Sequence, residues 1–150
     1  MKKTLLALCA LALSACSRVS VQDYHEAQPK LDLAQYFNGK ITGWGMVQDR
    51  SGKVLRRFTV HIDAHWRGDR YEGTAGDVVG VAAGEAAGNA LQWRYVLALP
   101  VDGKVWHVNM DDWMYLIDEQ TLANRTRMSK FGVEVAEISI FFRRADGGAP

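Results

Sequence analysis

The chain has 150 residues, 48% of them hydrophobic and 23% charged, which is room for one domain with a real core and too little for two. Its 18 basic and 17 acidic side chains leave a formal net charge of +1, so no cationic excess points to nucleic acid or to electrostatic recruitment by an anionic surface. The two cysteines stand at 9 and 16, and the rest of the chain has no thiol for a disulfide, a nucleophile or a metal.

The opening "MKKTLLALCALALSAC" joins a basic start, Lys2 and Lys3, to a short apolar run from Leu5 to Leu13. That pattern reads as a secretory signal over residues 1–15, too short to span a bilayer as a helix. Leu13-Ser14-Ala15-Cys16 resembles the bacterial lipobox, whose cysteine is acylated and becomes the first mature residue. The resemblance implies membrane anchoring through Cys16, and multiple acyl chains on one residue hold a protein stably at a bilayer. Ser17 stands where an aspartate would favour retention at the inner membrane, so the expected location is the periplasmic face of the outer membrane. Removing Lys2 and Lys3 from the 18 basic residues leaves 16 against 17 acidic ones, a formal charge of −1.

Residues 16–30 are polar and weakly periodic, which predicts a lipidated tether ahead of a single domain over 31–150. "LDLAQYFNG" predicts one short helix, with Asp32 as N-cap, Gln35 three residues on and Gly39 as the stop, placed as a lid or plug on the rest of the domain. The remainder of the chain reads as β. In "RRFTVHIDAHW", Phe58, Val60, Ile62, Ala64 and Trp66 alternate with Arg57, Thr59, His61, Asp63 and His65, a period of two with one core face and one wet face. "KITGWGMVQ" is its expected partner through the turn "DRSG"; "NALQWRYVLAL" and "KVWHVNMDDWMYLI" flank "PVDG"; "NRTRMSKF" and "VEVAEISIFFRR" flank Gly132. Strands at this spacing predict an all-β antiparallel barrel or sandwich. Gly76, Gly80, Gly84 and Gly88 would form a small-residue stripe on a helix, but the preferred reading is bends or bulges in a strongly curved sheet.

Several residues invite a chemical reading. Asp111 and Asp112 sit side by side on a predicted strand, so they point to opposite faces and cannot act as a catalytic pair. Asp112 falls on the more apolar face with Trp106, Val108, Met110, Met114 and Leu116. There it is a structural buried acid or a ligand contact, needing partners such as Arg94 or Arg125, unless a bulge overturns the register. His61, Asp63 and His65 share one strand face at a spacing that could present two imidazoles and a carboxylate to a metal, although nothing nominates a fourth ligand and a solvated outer face explains the same pattern. No nucleophile elbow, phosphate loop or cofactor motif occurs, and neither an enzyme activity nor a cofactor is expected. The five tryptophans serve either a core or an apolar pocket. In the pocket reading Trp44, Trp93, Trp106 and Met110 form the wall, with Asp112 or Arg94 as polar anchor.

Phe37-Asn38-Gly39-Lys40, Gly43-Trp44-Gly45-Met46-Val47-Gln48-Asp49-Arg50, Gly73 to Gly80, Gly88-Asn89-Ala90-Leu91, Trp93-Arg94-Tyr95, Asp111 to Tyr115 and Met128 to Gly132 together resemble, in order, the Gram-negative lipoprotein family of domain-of-unknown-function 3833. The resemblance implies a lipocalin-like barrel and an outer-membrane lipoprotein, and it assigns no catalytic residue. Between Trp66 and Tyr71 this chain has only "RGDR", where the family pattern carries a further acidic and aromatic segment of about two strands. Loss of adjacent strands would open a seam. The function expected is holding or passing an apolar molecule or lipid, and the alternative is a structural or protein-interaction lipoprotein with no small ligand.

Overall fold

The computed structural model describes residues 19–67, 70–72 and 78–145, with 64–67, 70–72, 78 and 80–82 as backbone only. Eight strands form one antiparallel sheet: β1 (Gly39–Asp49), β2 (Val54–Arg67), β3 (Arg70–Glu72), β4 (Val78–Ala87), β5 (Ala90–Val101), β6 (Lys104–Leu116), β7 (Thr121–Lys130) and β8 (Val133–Arg144). Their order is β3-β2-β1-β8-β7-β6-β5-β4. The first long strand thus pairs with the last, from Ile41 opposite Arg144 to Asp49 opposite Ala136. The two ends of the order, β3 and β4, do not pair with each other among the described residues, and the barrel is partly open.

The predicted strands and turns appear, and the hairpins show why. Asp102 and Gly103 both take positive φ, 49° and 75°, as do Phe131 and Gly132 at 52° and 79°, the mirror-image geometry that matches strand twist in two-residue hairpins. The β1–β2 turn is held by Asp49, whose Oδ1 accepts from Ser51 N at 2.8 Å, Ser51 Oγ at 2.6 Å and Lys53 N at 3.1 Å. The glycine-rich run is strand over Val78–Ala87, while Gly76 lies outside the described residues. β4 carries a register shift between Val79 and Ala83, and Gly88 turns into β5 at φ 55°.

The inner face holds two apolar clusters. One joins Tyr36, Ile41, Leu116, Leu122 and Phe142; the other joins Val108, Met110, Met128 and Ala136. On β1 the inward residues are Ile41, Gly43, Gly45 and Val47. Gly43 and Gly45 make room for rings crossing the interior, since a Cβ at Gly43 would lie 2.7 Å from the Phe142 ring and one at Gly45 would lie 2.5 Å from that of Phe58.

The short helix α1 (Leu33–Tyr36) forms where expected, with Asp32 Oδ1 accepting from Gln35 N at 3.0 Å. It acts as the plug. Tyr36 is buried, and its hydroxyl is shared between Gln120 O and Phe142 O, both at 3.1 Å. Removal from water pushes this phenol up to about 12.

The stretch expected to be a bare tether is not one over its described part. Val21–Tyr24 forms a 3-10 turn capped by Ser20, and Val21 is buried. The Tyr24 ring meets Trp113 and Tyr115 edge-on, at centroid distances of 6.1 and 5.3 Å, on the outer face of β6. Leu31 N donates to Gly88 O at 2.8 Å. The reason is local: Val21 and Tyr24 are two apolar side chains one turn apart, and a sheet that exposes Trp113 and Tyr115 gives them something to cover.

Gly88 is the point where this segment and the sheet touch most closely, because a Cβ there would collide with Tyr24 O at a φ that already disfavours a side chain. Gly88→Ala is therefore expected to lift residues 20–31 off the sheet and to cost about 1–2 kcal/mol. Hydrogen exchange would register this as lost protection at the Ala27 and Leu31 amides; unchanged protection would contradict the docking.

Candidate functional site

A polar layer lies between the two apolar clusters. Asp112 on β6 stands opposite Trp93 on β5 and Thr126 on β7. It is 6% exposed, with Asn124 and Thr126 buried beside it. The strand period places it there, since Val108, Met110, Asp112 and Leu116 share the inner side of β6, whereas Asp111 turns outward. The Asp112 carboxylate accepts hydrogen bonds from Asn124 Nδ2 and, at 3.2 Å, from the Tyr95 hydroxyl. Thr126 Oγ1 donates to Asn124 Oδ1 at 3.3 Å, and Asn124 Nδ2 also reaches Trp113 O at 3.3 Å. All of these partners are neutral. Burial dominates, so the Asp112 carboxyl is pushed up to about 6 while the Asn124, Tyr95 and Thr126 hydrogen bonds pull the other way.

The cationic partners expected for Asp112 are on the other face. Arg94 follows Trp93 and so points outward, where its Nε lies 3.5 Å from Asp111 Oδ1; Gln92 Nε2 also donates to that oxygen, at 2.6 Å. Arg125 pairs with Glu137 at 2.6 Å, again on the outer side. The paired aspartates are therefore split as predicted, one buried in a neutral network and one in an exposed ion pair.

The six pocket residues divide likewise. Trp93, Met110 and Asp112 converge on the inner face. Trp106 shares their side of the sheet but sits at the hairpin rim, 43% exposed, with Lys130 Nζ 5.8 Å from its ring centroid. Trp44 is 53% exposed and points outward, because the inward positions of β1 are taken by Ile41, Gly43, Gly45 and Val47. Arg94 is outward as described. Tyr95, Asn124 and Thr126 belong to the site and are not among the residues that the sequence nominates. Tyr95 shares the Trp93 side of β5, and that parity is the signal that could find it.

Of the metal candidates, His61 Nδ1 lies 3.3 Å from Thr42 Oγ1 on the outer face. The His65 side chain lies outside the described residues, as do Cys16 and the signal segment. No group of three His, Cys, Asp or Glu positioned for a metal occurs among the described residues.

Around the polar layer the inner face is apolar and only partly buried. Trp93, Tyr95, Leu97, Leu99, Val47 and Ile138 all point inward yet are only half-buried. The result is an apolar inner face with one acid, one amide and two hydroxyls at its centre.

The raised Asp112 pKa has a definite sign in stability. Below about pH 4 the residue is protonated folded and unfolded and costs nothing. As pH rises through the interval from about 4 to about 6, the unfolded chain releases its proton first and stability falls, and above about 6 the full cost applies, on the order of 3 kcal/mol. Asp112→Asn should flatten that interval and be more stable than the parent near neutrality. Urea unfolding across the range measures it, and parallel curves for the two proteins would refute the assignment.

No curated protein and no solved structure matches the chain. A family match covers residues 10–71 and 67–144, two pieces that overlap at residues 67–71. Nearly the whole sequence is accounted for, and the chain belongs to the family described as protein of unknown function, DUF3833.

Proposed function

We propose that the protein is a periplasmic lipoprotein, anchored to the outer membrane through acylated Cys16, that holds or passes an apolar or lipid-like molecule in its inner trough. The observation that carries the reading is the half-buried inward set Trp93, Tyr95, Leu97, Leu99, Val47 and Ile138 around a buried acid. Apolar side chains left half-covered on the concave side of a sheet cost stability unless something covers them, and a ligand gains what they lack. Asp112 gives the trough a direction, because the one polar end of a bound molecule finds hydrogen-bonding partners in that layer. The partly open side, between β3 and β4, offers a way in that a fully closed barrel of this size would not. No chemistry is assigned, since the buried groups of the described residues form no nucleophile and base pair.

A second reading rests on the same opening. β4 presents an unpaired edge among the described residues, and such an edge can take a strand from another protein. In this reading the protein is an interaction module of the envelope. Crosslinking in intact envelopes that captures one reproducible partner at β4 would favour it over the carrier.

The carrier reading has two measurable outcomes. Cys16→Ala should move the protein from the membrane pellet to other fractions, and continued sedimentation with membranes would remove the anchor. A fluorescent fatty acid should bind the purified protein saturably, and Trp93→Ala should weaken that binding about tenfold, the size of one lost buried aromatic contact. Absence of saturable binding would remove the trough as a ligand site.

A further inference from the structure

The outer face of β2, β1 and β8 carries a cleft of about 410 Å³ that is separate from the inner trough. Two cross-strand rows build it: Thr59, Trp44 and Phe141 in one, Arg57, Met46 and Ser139 in the next. Small hydroxyl side chains at 59 and 139 lie between large ones, and the depression results from that alternation. Trp44 and Phe141 stand directly opposite each other, yet are 53% and 56% exposed. Two large, exposed aromatic side chains on neighbouring strands are a platform that an apolar body can cover.

Arg57 supplies the charge. The other outward arginines near the middle of the sheet are engaged, Arg125 with Glu137 at 2.6 Å, Arg94 with Asp111 at 3.5 Å and Arg127 with Glu134 at 4.0 Å. Arg57 has no acidic partner among the described residues. A guanidinium in this position offers several donors in a fixed fork that matches a carboxylate or phosphate, with Thr59 and Ser139 hydroxyls alongside.

We propose that this cleft binds an amphipathic anion, its oxyanion on Arg57 and its apolar body between Trp44 and Phe141. The complementarity requires both parts at once: the charge alone is an exposed surface contact of little worth, and the rings alone give no preference for an anion. The site is independent of the trough, which lies on the opposite face of the sheet, so each can fail without the other.

The test uses the purified mature chain and four probes: dihexanoyl phosphatidic acid, decanoate, dihexanoyl phosphatidylcholine and inorganic phosphate, followed by tryptophan emission and calorimetry. Saturable binding of one or both anionic amphiphiles is expected to persist in an Asp112→Asn, Trp93→Ala background, which weakens the inner site, and in that background to fall about tenfold or more when Arg57→Gln or Trp44→Ala is added. Tighter binding of the phosphatidate assigns the phosphate, and tighter binding of decanoate assigns the carboxylate. Both added substitutions are at exposed positions, and unchanged circular dichroism spectra would show that the variants fold. The proposal is overturned if neither anionic amphiphile binds, if adding Arg57→Gln leaves binding as tight as in that background, or if the phosphatidylcholine or inorganic phosphate binds as tightly as the anionic amphiphiles.

Discussion

The pairing of β1 with β8 is the constraint on which the rest of this structure depends. It joins the two ends of the meander and fixes every strand between them, so that among the described residues the unpaired ends of the sheet are β3 and β4. The opening therefore falls between β3 and β4, and not between the first long strand and the last. The ladder is tight because glycine makes it so: without Cβ atoms at 43 and 45, the Phe142 and Phe58 rings can cross the interior against β1. Tyr36 then secures one end by hydrogen bonding to the backbone of the β6–β7 turn and of β8.

The interior of this frame is divided. Two apolar clusters are separated by Asp112, Asn124 and Thr126, with Tyr95 completing the network. Such a layer is poorly suited to stability alone, because an acid surrounded by neutral donors loses more hydration than its hydrogen bonds return, and burial accordingly raises its pKa. A purely structural residue at this position would be better replaced by an apolar one. Under the proposed function, the polar layer is the part of the inner face that receives the polar end of a bound molecule.

Much of this is legible in the sequence. The period of two, the Gly-closed turns and the N-cap at Asp32 locate the long strands and the plug, and parity alone separates Asp111 from Asp112. The partners of Asp112 are also within reach. A two-residue turn at Asp102-Gly103 sets the β5–β6 register, which puts Trp93 opposite Asp112 and Arg94 opposite Asp111; side-chain type considered without register sends Arg94 to the wrong acid. Trp44 is misplaced for a related reason. Bulk suggests a pocket wall, but the same-face set Ile41, Gly43, Gly45 and Val47 leaves it outside. Less accessible is the docking of residues 20–31, where two apolar side chains in a polar stretch give no periodic signal. The shift between Met128 and Ser129 in the β7–β8 ladder is equally unsignalled by any residue there.

Central to the proposed role is that the inner trough is occupied in the cell by a molecule that its half-covered apolar side chains and Asp112 jointly select. Native mass spectrometry of the mature protein purified from membranes, with organic extraction of whatever travels with it, examines that occupancy most directly. The expected result is one reproducible class of apolar molecule bearing a single polar end, retained by the parent and lost from a Trp93→Ala, Asp112→Ala double variant that remains folded. A compact protein that is empty on every preparation, or one whose bound molecules are unchanged in the double variant, would contradict it.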